Sequence, residues 1–459
     1  MSKIHFLTVC FSLLASLASA QQAFTLQEAI TYAQQNSVQA RKAQLSIEDA
    51  LAQIKETQAI GIPKISGKVD YQYYLRRPTM FFPDFIGPSI VGVLEAYQLV
   101  PPGSAAGVNS GGLMPVQFGM NHSLAASITA STLVFDGAYL VGLKAAKEMK
   151  NLYIRQADLT AQEIKYTIIQ AYLTILIAEE NYQMLLKNLN NLKSLRDETA
   201  KFNEQGLVEE LDVDRLDLNL QNLQTEADIV ARQVELAYNL LKFQMNYDLL
   251  ADITLSDNLQ GLLMEAAQED LEGNIDISKR IEVDVLKQNE TLTAMNIRRI
   301  KMGYAPNLSA FINYQQQLQR NNLFDSNQPG FISSSIIGAT LNVPIFDGFD
   351  KKHKVERATI AQKNIALEME SLKRSIELQV INSRAQYVNA KARLEAQERN
   401  LNLANRILER TKTKYKSGVG SSIEVTTTEQ ELYSTQTNYL NALYDFVVSK
   451  NNLDKALGK

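Results

Sequence analysis

The stretch that decides the fold spans residues 349–417 and reads FDKKHKVERATIAQKNIALEMESLKRSIELQVINSRAQYVNAKARLEAQERNLNLANRILERTKTKYKS. It contains neither glycine nor proline, the two residues that most disfavour the interior of a helix, and the same holds for residues 143–205. A continuous helix of about 65 residues is roughly 100 Å long. Because no compact domain holds such a helix, the sequence predicts a coiled coil or a tube of helices.

Apolar residues recur every seven positions in and beside these stretches. In the two long stretches they are Val380, Tyr387, Leu394, Leu401, Leu408 and Tyr415, and Leu152, Leu159, Tyr166 and Leu173. Residues 216–241 carry two such stripes: Leu216, Leu223, Val230 and Ala237, and Leu220, Ala227, Val234 and Leu241. A heptad stripe keeps one face against a partner helix, and two stripes imply neighbours on both sides. A barrel of helices fits this pattern, and a two-stranded coiled coil also remains possible.

The prolines mark regions of a different kind, because all of them lie in residues 63–115 and 306–344. Four segments there or beside them alternate between apolar and polar residues, which is typical of β-strands. The first segment begins at Lys64, and the other three span His122–Phe135, Asn307–Arg320 and Phe331–Phe346. Their length suits transmembrane strands, and an antiparallel sheet on a soluble core is the alternative. We expect the proline-rich connection after the first strand to be an exposed, irregular loop.

The second half of the chain retraces the first. Asp136-Gly137 follows one predicted strand and Asp347-Gly348 another, an offset of 347 − 136 = 211 residues. We expect each aspartate to cap the helix that follows its strand. The predicted layout is internally duplicated, with a first repeat at 21–250, a linker at 251–275 and a second repeat at 276–459. Each repeat contains helix, strand, loop, strand, very long helix, tight turn and helix.

Composition narrows the class of protein. Lys plus Arg number 46 and Asp plus Glu 50, for a formal net charge of −4, so nothing in the charge points to nucleic acid as a partner. One Cys and three His make a disulfide framework impossible and argue against a metal site. Residues 1–20 contain a basic residue, an apolar stretch and the ending Ala18-Ser19-Ala20, and predict a secretory signal peptide.

Four predicted strands cannot close a membrane barrel, since about eight is the smallest number that does. An open sheet edge in lipid leaves backbone groups without hydrogen bonds, at high cost in free energy. Several chains must therefore share one barrel. Two chains would supply eight strands and three would supply twelve, and the polar face of the strands favours the wider barrel.

These features resemble the TolC-type trimeric outer-membrane efflux channels over nearly the whole mature chain. Besides the duplication, the resemblance rests on two turns between helices, Phe202-Asn203-Glu204-Gln205-Gly206-Leu207-Val208 and Tyr415-Lys416-Ser417-Gly418-Val419. It implies a mostly α-helical homotrimer with transmembrane β-structure. In such a trimer the coiled-coil helices form an α-barrel continuous with a 12-stranded β-barrel, four strands per chain. The implied location is the outer membrane, in contact with its lipid, with the helical part in the periplasm.

The resemblance also implies partners and site residues. A periplasmic adaptor (membrane fusion protein) would dock at the turn residues Gly206, Leu207, Val208, Gly418, Val419 and Gly420, and would connect the channel to an inner-membrane transporter. The family's periplasmic gate pairs an aspartate with a tyrosine and an arginine. Asp212 and Tyr415 stand at the first two positions, but the arginine position holds Gly420. The set of contacts that closes the gate in the family is therefore expected to be incomplete here. Glu424 would supply a ring of three carboxylates at the constriction, and the other possibility is a solvated surface acid.

Two functions follow from these patterns. The first is a passive exit duct of an efflux or secretion system, with no catalytic residues, no cofactor and no metal. The alternative is an exported coiled-coil spacer or adhesin without a pore. An enzyme is disfavoured because neither His122 nor His353 has a nucleophile–base set or ligand cluster beside it in the sequence.

Overall fold

The computed structural model describes residues 22–83, 86–104, 113–262, 276–324 and 330–458. The predicted signal peptide at 1–20 and residues 263–275 of the predicted linker lie outside these ranges. The chain divides into two units, a helical unit of residues 1–53, 145–296 and 356–459, and a strand-containing unit of residues 54–144 and 297–355.

Helices make up most of the described chain. In chain order they are α1 (Leu26–Asn36), α2 (Val38–Ala59), α3 (Ile86–Ala96), α4 (Gly137–Glu204), α5 (Glu210–Met245), α6 (Ile281–Met302), α7 (Asp350–Lys416) and α8 (Ser422–Leu457). The two predicted long helices are α4, with 68 residues, and α7, with 67 residues. Each is followed by a tight turn and a helix of 36 residues, α5 or α8. Among the residues described, no helix combines the length and the apolar character needed to cross a membrane.

The heptad stripes form the core of the helical unit. In α7, Val380 and Tyr387 are almost completely buried, and Leu408 and Tyr415 are nearly so. The two stripes of α5 also face neighbours, since Leu216 and Leu241 are both fully buried. The seven-residue spacing therefore identified the buried faces of the long helices, as expected for a side chain that returns to the same face after two turns.

A four-stranded antiparallel sheet is the centre of the other unit. Its strands are β2 (Lys64–Tyr73), β5 (His122–Phe135), β7 (Asn307–Arg320) and β8 (Ile332–Asn342), in the spatial order β2-β5-β7-β8. The strand pair β1 (Gln22–Phe24) and β6 (Ile253–Leu255) lies in the helical unit and is parallel.

The fourth predicted strand ends earlier than its sequence pattern indicated. The alternation continues to Phe346, but β8 stops at Asn342. Pro344 has no backbone N–H and cannot donate to a strand ladder, so the apolar residues that follow it lie outside the sheet. The two strands at His122–Phe135 and Asn307–Arg320 have the predicted bounds.

The connection between β2 and β5 is more ordered than we expected. It contains an antiparallel pair, β3 (Thr79–Pro83) and β4 (Leu113–Gln117), and the helix α3. The prediction of an irregular loop was wrong for these residues. Two of its prolines, Pro83 at the end of β3 and Pro115 inside β4, lie in this two-stranded pair, where a missing N–H donor is tolerated.

The two aspartates at the strand-to-helix junctions act as caps, but in different geometries. Asp136 Oδ1 accepts a hydrogen bond from the backbone N–H of Tyr139 at 2.9 Å, and α4 starts directly at Gly137. At the second junction Gly348 and Phe349 have φ values of +63° and +67°, so the chain makes an extra turn before α7 begins. Asp347 Oδ2 there accepts from the Lys351 N–H at 3.2 Å.

Candidate functional site

The first of the two helix turns connects α4 to α5. Gly206 has a φ of +74° and ends α4 in the left-handed conformation that glycine adopts most easily. The Gly206 and Leu207 N–H groups donate to the carbonyls of Asn203 and Phe202, at 2.8 and 2.9 Å. Leu207 is 68% exposed and Val208 is half-buried, so the turn presents one large apolar side chain to its surroundings.

The second turn, between α7 and α8, has the same form. Gly418 has a φ of +73°, and its N–H donates to the Tyr415 carbonyl at 2.9 Å. Val419, the counterpart of Leu207, is 75% exposed. Both turns therefore display an exposed apolar residue directly after a left-handed glycine.

Gly420 is packed against the end of α7. A Cβ atom at this position would lie 3.1 Å from the backbone nitrogen of Tyr415 and 3.3 Å from its Cα. Both neighbours are backbone atoms and cannot rotate away. The position where the resemblance expects an arginine is thus sterically suited to glycine in this turn.

Within the single chain described, Asp212 and Tyr415 each have a hydrogen-bond partner on the other hairpin. The Tyr415 hydroxyl is buried and lies 2.9 Å from Thr199 Oγ1 on α4. Asp212 Oδ1, in the first turn of α5, accepts a hydrogen bond from Ser422 Oγ at 2.6 Å. Asp212 and Tyr415 are therefore not paired with each other within the described chain. The two hairpins are joined near their turns by these two separate contacts.

Glu424 lies in the first turn of α8, where its negative charge is favourable at a helix N-terminus. The Ser421 side chain caps this helix by accepting from the Glu424 N–H at 3.3 Å. The Glu424 carboxylate is about half exposed, with 49% of its side-chain surface accessible, and it pairs with Lys414 Nζ at 3.1 Å. Sequence reasoning missed this lysine, which precedes the turn by one helical turn.

A more buried ion pair lies further from the turns. Lys412 Nζ is 3.0 Å from Glu429 Oε1, and the two side chains are only 19% and 16% exposed. Burial raises the pKa of the Glu429 carboxyl, and the nearby Lys412 only partly opposes this effect. No sequence motif marked these residues, because their proximity depends on how α7 and α8 pack side by side. Within the described ranges no three His, Cys, Asp or Glu residues are grouped in a way that could hold a metal.

Comparison with known proteins gives consistent matches. Residues 302–459 match the family described as Outer membrane efflux protein. The outer membrane protein TolC of Vibrio cholerae is 22% identical over 355 residues, which is 73% of this chain and 76% of that protein.

Two solved structures show the same fold over nearly the whole chain. A crystal structure of CusC aligns with a TM-score of 0.69 at 16% identity, covering 95% of this chain and 93% of the other. The structure of VceC from Vibrio cholerae aligns with a TM-score of 0.65 at 15% identity, covering 94% and 96%. At these identities the structural similarity shows the fold alone.

Proposed function

We propose that this chain is the outer-membrane exit duct of a tripartite efflux or secretion system, a proposal supported by the match of residues 302–459 to the family described as Outer membrane efflux protein. It conducts substrates passively from a periplasmic adaptor and an inner-membrane transporter to the exterior. The transporter supplies the energy, so the duct itself needs no catalytic residues and no cofactor. The location in the outer membrane agrees with the names of its relatives, which are outer-membrane proteins.

The observation that carries the proposal is the sheet β2-β5-β7-β8. Among the described residues its edge strands β2 and β8 each have only one neighbouring strand. Apolar side chains on these edge strands are exposed, with Val69 at 71% and Ile337 at 82%. Lipid around the sheet would cover such side chains, but it could not satisfy the open backbone edges.

Association of several chains satisfies both requirements. If β2 of one chain pairs with β8 of the next, three chains give 3 × 4 = 12 strands and a closed barrel wide enough for a lumen. The helices of the same homotrimer would then form the periplasmic tube. The alternative, a coiled-coil spacer or adhesin, has no need for strands with lipid-compatible faces and open edges.

The turns are the proposed docking surface for the adaptor. Leu207 and Val419 are exposed apolar residues at the ends of the two hairpins, which suits contact with the apolar stripe of another helical hairpin. Around the same end of the tube, Asp212, Tyr415 and Glu424 are proposed to form the periplasmic constriction. Three Glu424 carboxylates around a threefold axis would favour cations in the pore.

The test is electron microscopy of the detergent-extracted, full-length protein. We expect a threefold tapered particle with a lumen and a helical part on the order of 100 Å long. Solid rods without a lumen would refute the duct and support the spacer. Conductance measured across planar bilayers is the second readout, because a spacer gives none.

A further inference from the structure

A cavity of about 490 Å³ lies between the two helical hairpins, with walls from α4, α5, α7 and α8. This volume falls in the range of small-molecule binding sites, roughly 300 to 1,000 Å³. One part of its wall is apolar and consists of Leu192, Leu408 and Leu432, all nearly buried. The other part carries amide side chains, among them Asn219 and Asn222. Such a mixed lining suits a ligand with an apolar body and a polar group.

The charge of the lining favours a cation. Two carboxylates, Glu226 and Glu429, are among the described residues that line the cavity, and no Lys, Arg or His is. Lys412 reaches Glu429 but belongs to the ion pair rather than to the lining. Tyr433 is also part of the wall, and aromatic rings attract positive charge.

Glu429 has hydrogen-bonding capacity that the chain does not use. Its Oε1 pairs with Lys412, while its Oε2 is closed off from solvent and has no hydrogen-bond partner among the described residues. Buried polar atoms are nearly always paired, and an unpaired carboxylate oxygen is costly in free energy. Glu429 also lines the cavity, so its carboxylate is a candidate acceptor for a positively charged donor bound there.

We propose that this cavity binds an organic monocation, a protonated amine or amidine with an aromatic or aliphatic body, with Glu429 as the residue that recognises its charge. The apolar part would lie against the three leucines and the charged part against the carboxylates. The bound molecule would contact both hairpins of one chain and thereby stabilise their packing. The lining residues named here all belong to one chain, so binding can be tested separately from the proposed role as a duct.

The experiment is calorimetric titration of the full-length protein in detergent with benzamidinium, using neutral benzamide as the matched probe of the same size. We expect saturable binding of benzamidinium and at least tenfold weaker binding of benzamide. Glu429→Gln should weaken benzamidinium binding at least tenfold. Glu431→Gln, at an exposed position on the same helix, should change the affinity less than twofold. Equal affinity for both probes, or unchanged affinity in Glu429→Gln, would overturn the proposal.

A second measurement does not depend on how well the Glu429 variant folds. The chain contains one Cys, within the predicted signal peptide, so a Cys introduced at Asn219 would be the single thiol of the mature protein. We expect benzamidinium, but not benzamide, to slow alkylation of Asn219→Cys several-fold. A Cys at the exposed Gln221 should react at the same rate with and without the probe. Equal rates at position 219 would show that the cavity is not occupied.

Discussion

Ser422 Oγ donates a hydrogen bond to Asp212 Oδ1 at 2.6 Å, and this contact joins the first turn of α8 to the first turn of α5. Ser422 is buried, and the Asp212 carboxylate is largely shielded, with 22% of its side chain exposed. Hydrogen bonds to a charged acceptor contribute about 1.5–3 kcal/mol. The pair therefore holds the two hairpins together beside their turns, in the region that we propose as the constriction.

Removing the hydroxyl should loosen the constriction. In Ser422→Ala, the side-chain contact that Asp212 keeps among the described residues is a distant one, with Arg215 at 3.9 Å, so we expect a larger single-channel conductance in planar bilayers. Ser417→Ala is the matched control, because the Ser417 hydroxyl donates to the Thr413 carbonyl of the preceding helix, at 2.9 Å, and this bond does not join the two hairpins. Equal conductance of the Ser422→Ala variant and the parent protein would show that this contact does not restrict the pore.

The turn glycines should tolerate different substitutions. Gly418 has a positive φ and open space where a Cβ would stand, so Gly418→Asn should preserve transport, since asparagine accepts this conformation. Gly418→Arg should abolish transport while trimers still form, because it places a bulky charge on the proposed docking surface.

Gly420→Ala, by contrast, should shift the end of α7 because its Cβ meets backbone atoms of Tyr415.

Two measurements separate these effects. Trimer assembly is followed by size-exclusion chromatography, and transport by growth in the presence of an exported compound. If Gly418→Arg retains full transport, the turns are not the docking surface. If Gly420→Ala leaves the stability and the conductance unchanged, the close packing at this glycine has no consequence.

Arg280 is a buried cation of the helical unit, and its removal should lower the stability of the protein. Its Nη1 donates to the Ala456 carbonyl at 2.6 Å near the end of α8, and its Nη2 lies 2.6 Å from Glu282 Oε1. Although burial alone would raise it, the pKa of Glu282 is lowered on balance by its hydrogen bonds to Arg280. We expect Arg280→Met to lower the apparent melting temperature by several degrees, since it leaves a half-buried carboxylate unpaired.

The control for Arg280 is its exposed neighbour. Lys279 pairs with Asp276 at 3.6 Å, with 75% of the lysine side chain exposed, and such surface pairs contribute about 0–1 kcal/mol. Lys279→Met should therefore shift the melting temperature by much less than Arg280→Met. A similar shift for both variants would mean that the bond from Arg280 to α8 adds little.

Sequence reasoning succeeded where the physics is local or periodic. The absence of glycine and proline identified α4 and α7, and the heptads identified buried positions such as Val380 and Tyr387. Gly206 and Gly418 lie in the turns where the sequence placed them, because glycine, which has no Cβ, adopts a positive φ at little cost.

The partners of the site residues could not be predicted in the same way. The Thr199 partner of Tyr415 and the Ser422 partner of Asp212 lie more than 200 residues away in the chain. Their contacts depend on the relative rotation of packed helices, which the heptad pattern constrains only to a face. The cavity beside Glu429 is likewise a product of packing between two hairpins, and no spacing in the sequence indicates it.

The start of α1 should become less stable in acid. Glu28 Oε2 accepts from the Thr25 N–H at 2.8 Å and from the Thr25 hydroxyl at 2.9 Å, a capping box. These bonds, the backbone one first, lower the pKa of Glu28 below its ordinary value of 4.5. For a lowered pKa, the stabilisation is present above about 4.5 and is lost as the pH falls through the folded-state pKa.

Hydrogen exchange of α1 at matched pH tests this sign. At pH 6.5, α1 should exchange faster in Glu28→Gln than in the parent protein, and this difference should shrink as the pH is lowered below 4.5. Glu48→Gln, at an exposed position on α2, should match the parent throughout this pH range. A difference between Glu28→Gln and the parent that does not change as the pH is lowered would contradict the capping role of the carboxylate.

Glu424 and Lys414 should have opposite effects on block of the pore by multivalent cations. If Glu424 forms the proposed ring, its pairing with Lys414 at 3.1 Å already neutralises part of the negative charge. Glu424→Gln should therefore weaken block by hexamminecobalt several-fold in planar bilayers, and Lys414→Met should strengthen it. Glu431→Gln, on the same helix, serves as the control. Block that is equally strong in Glu424→Gln and the parent would place Glu424 outside the constriction, as a solvated acid on the surface of α8.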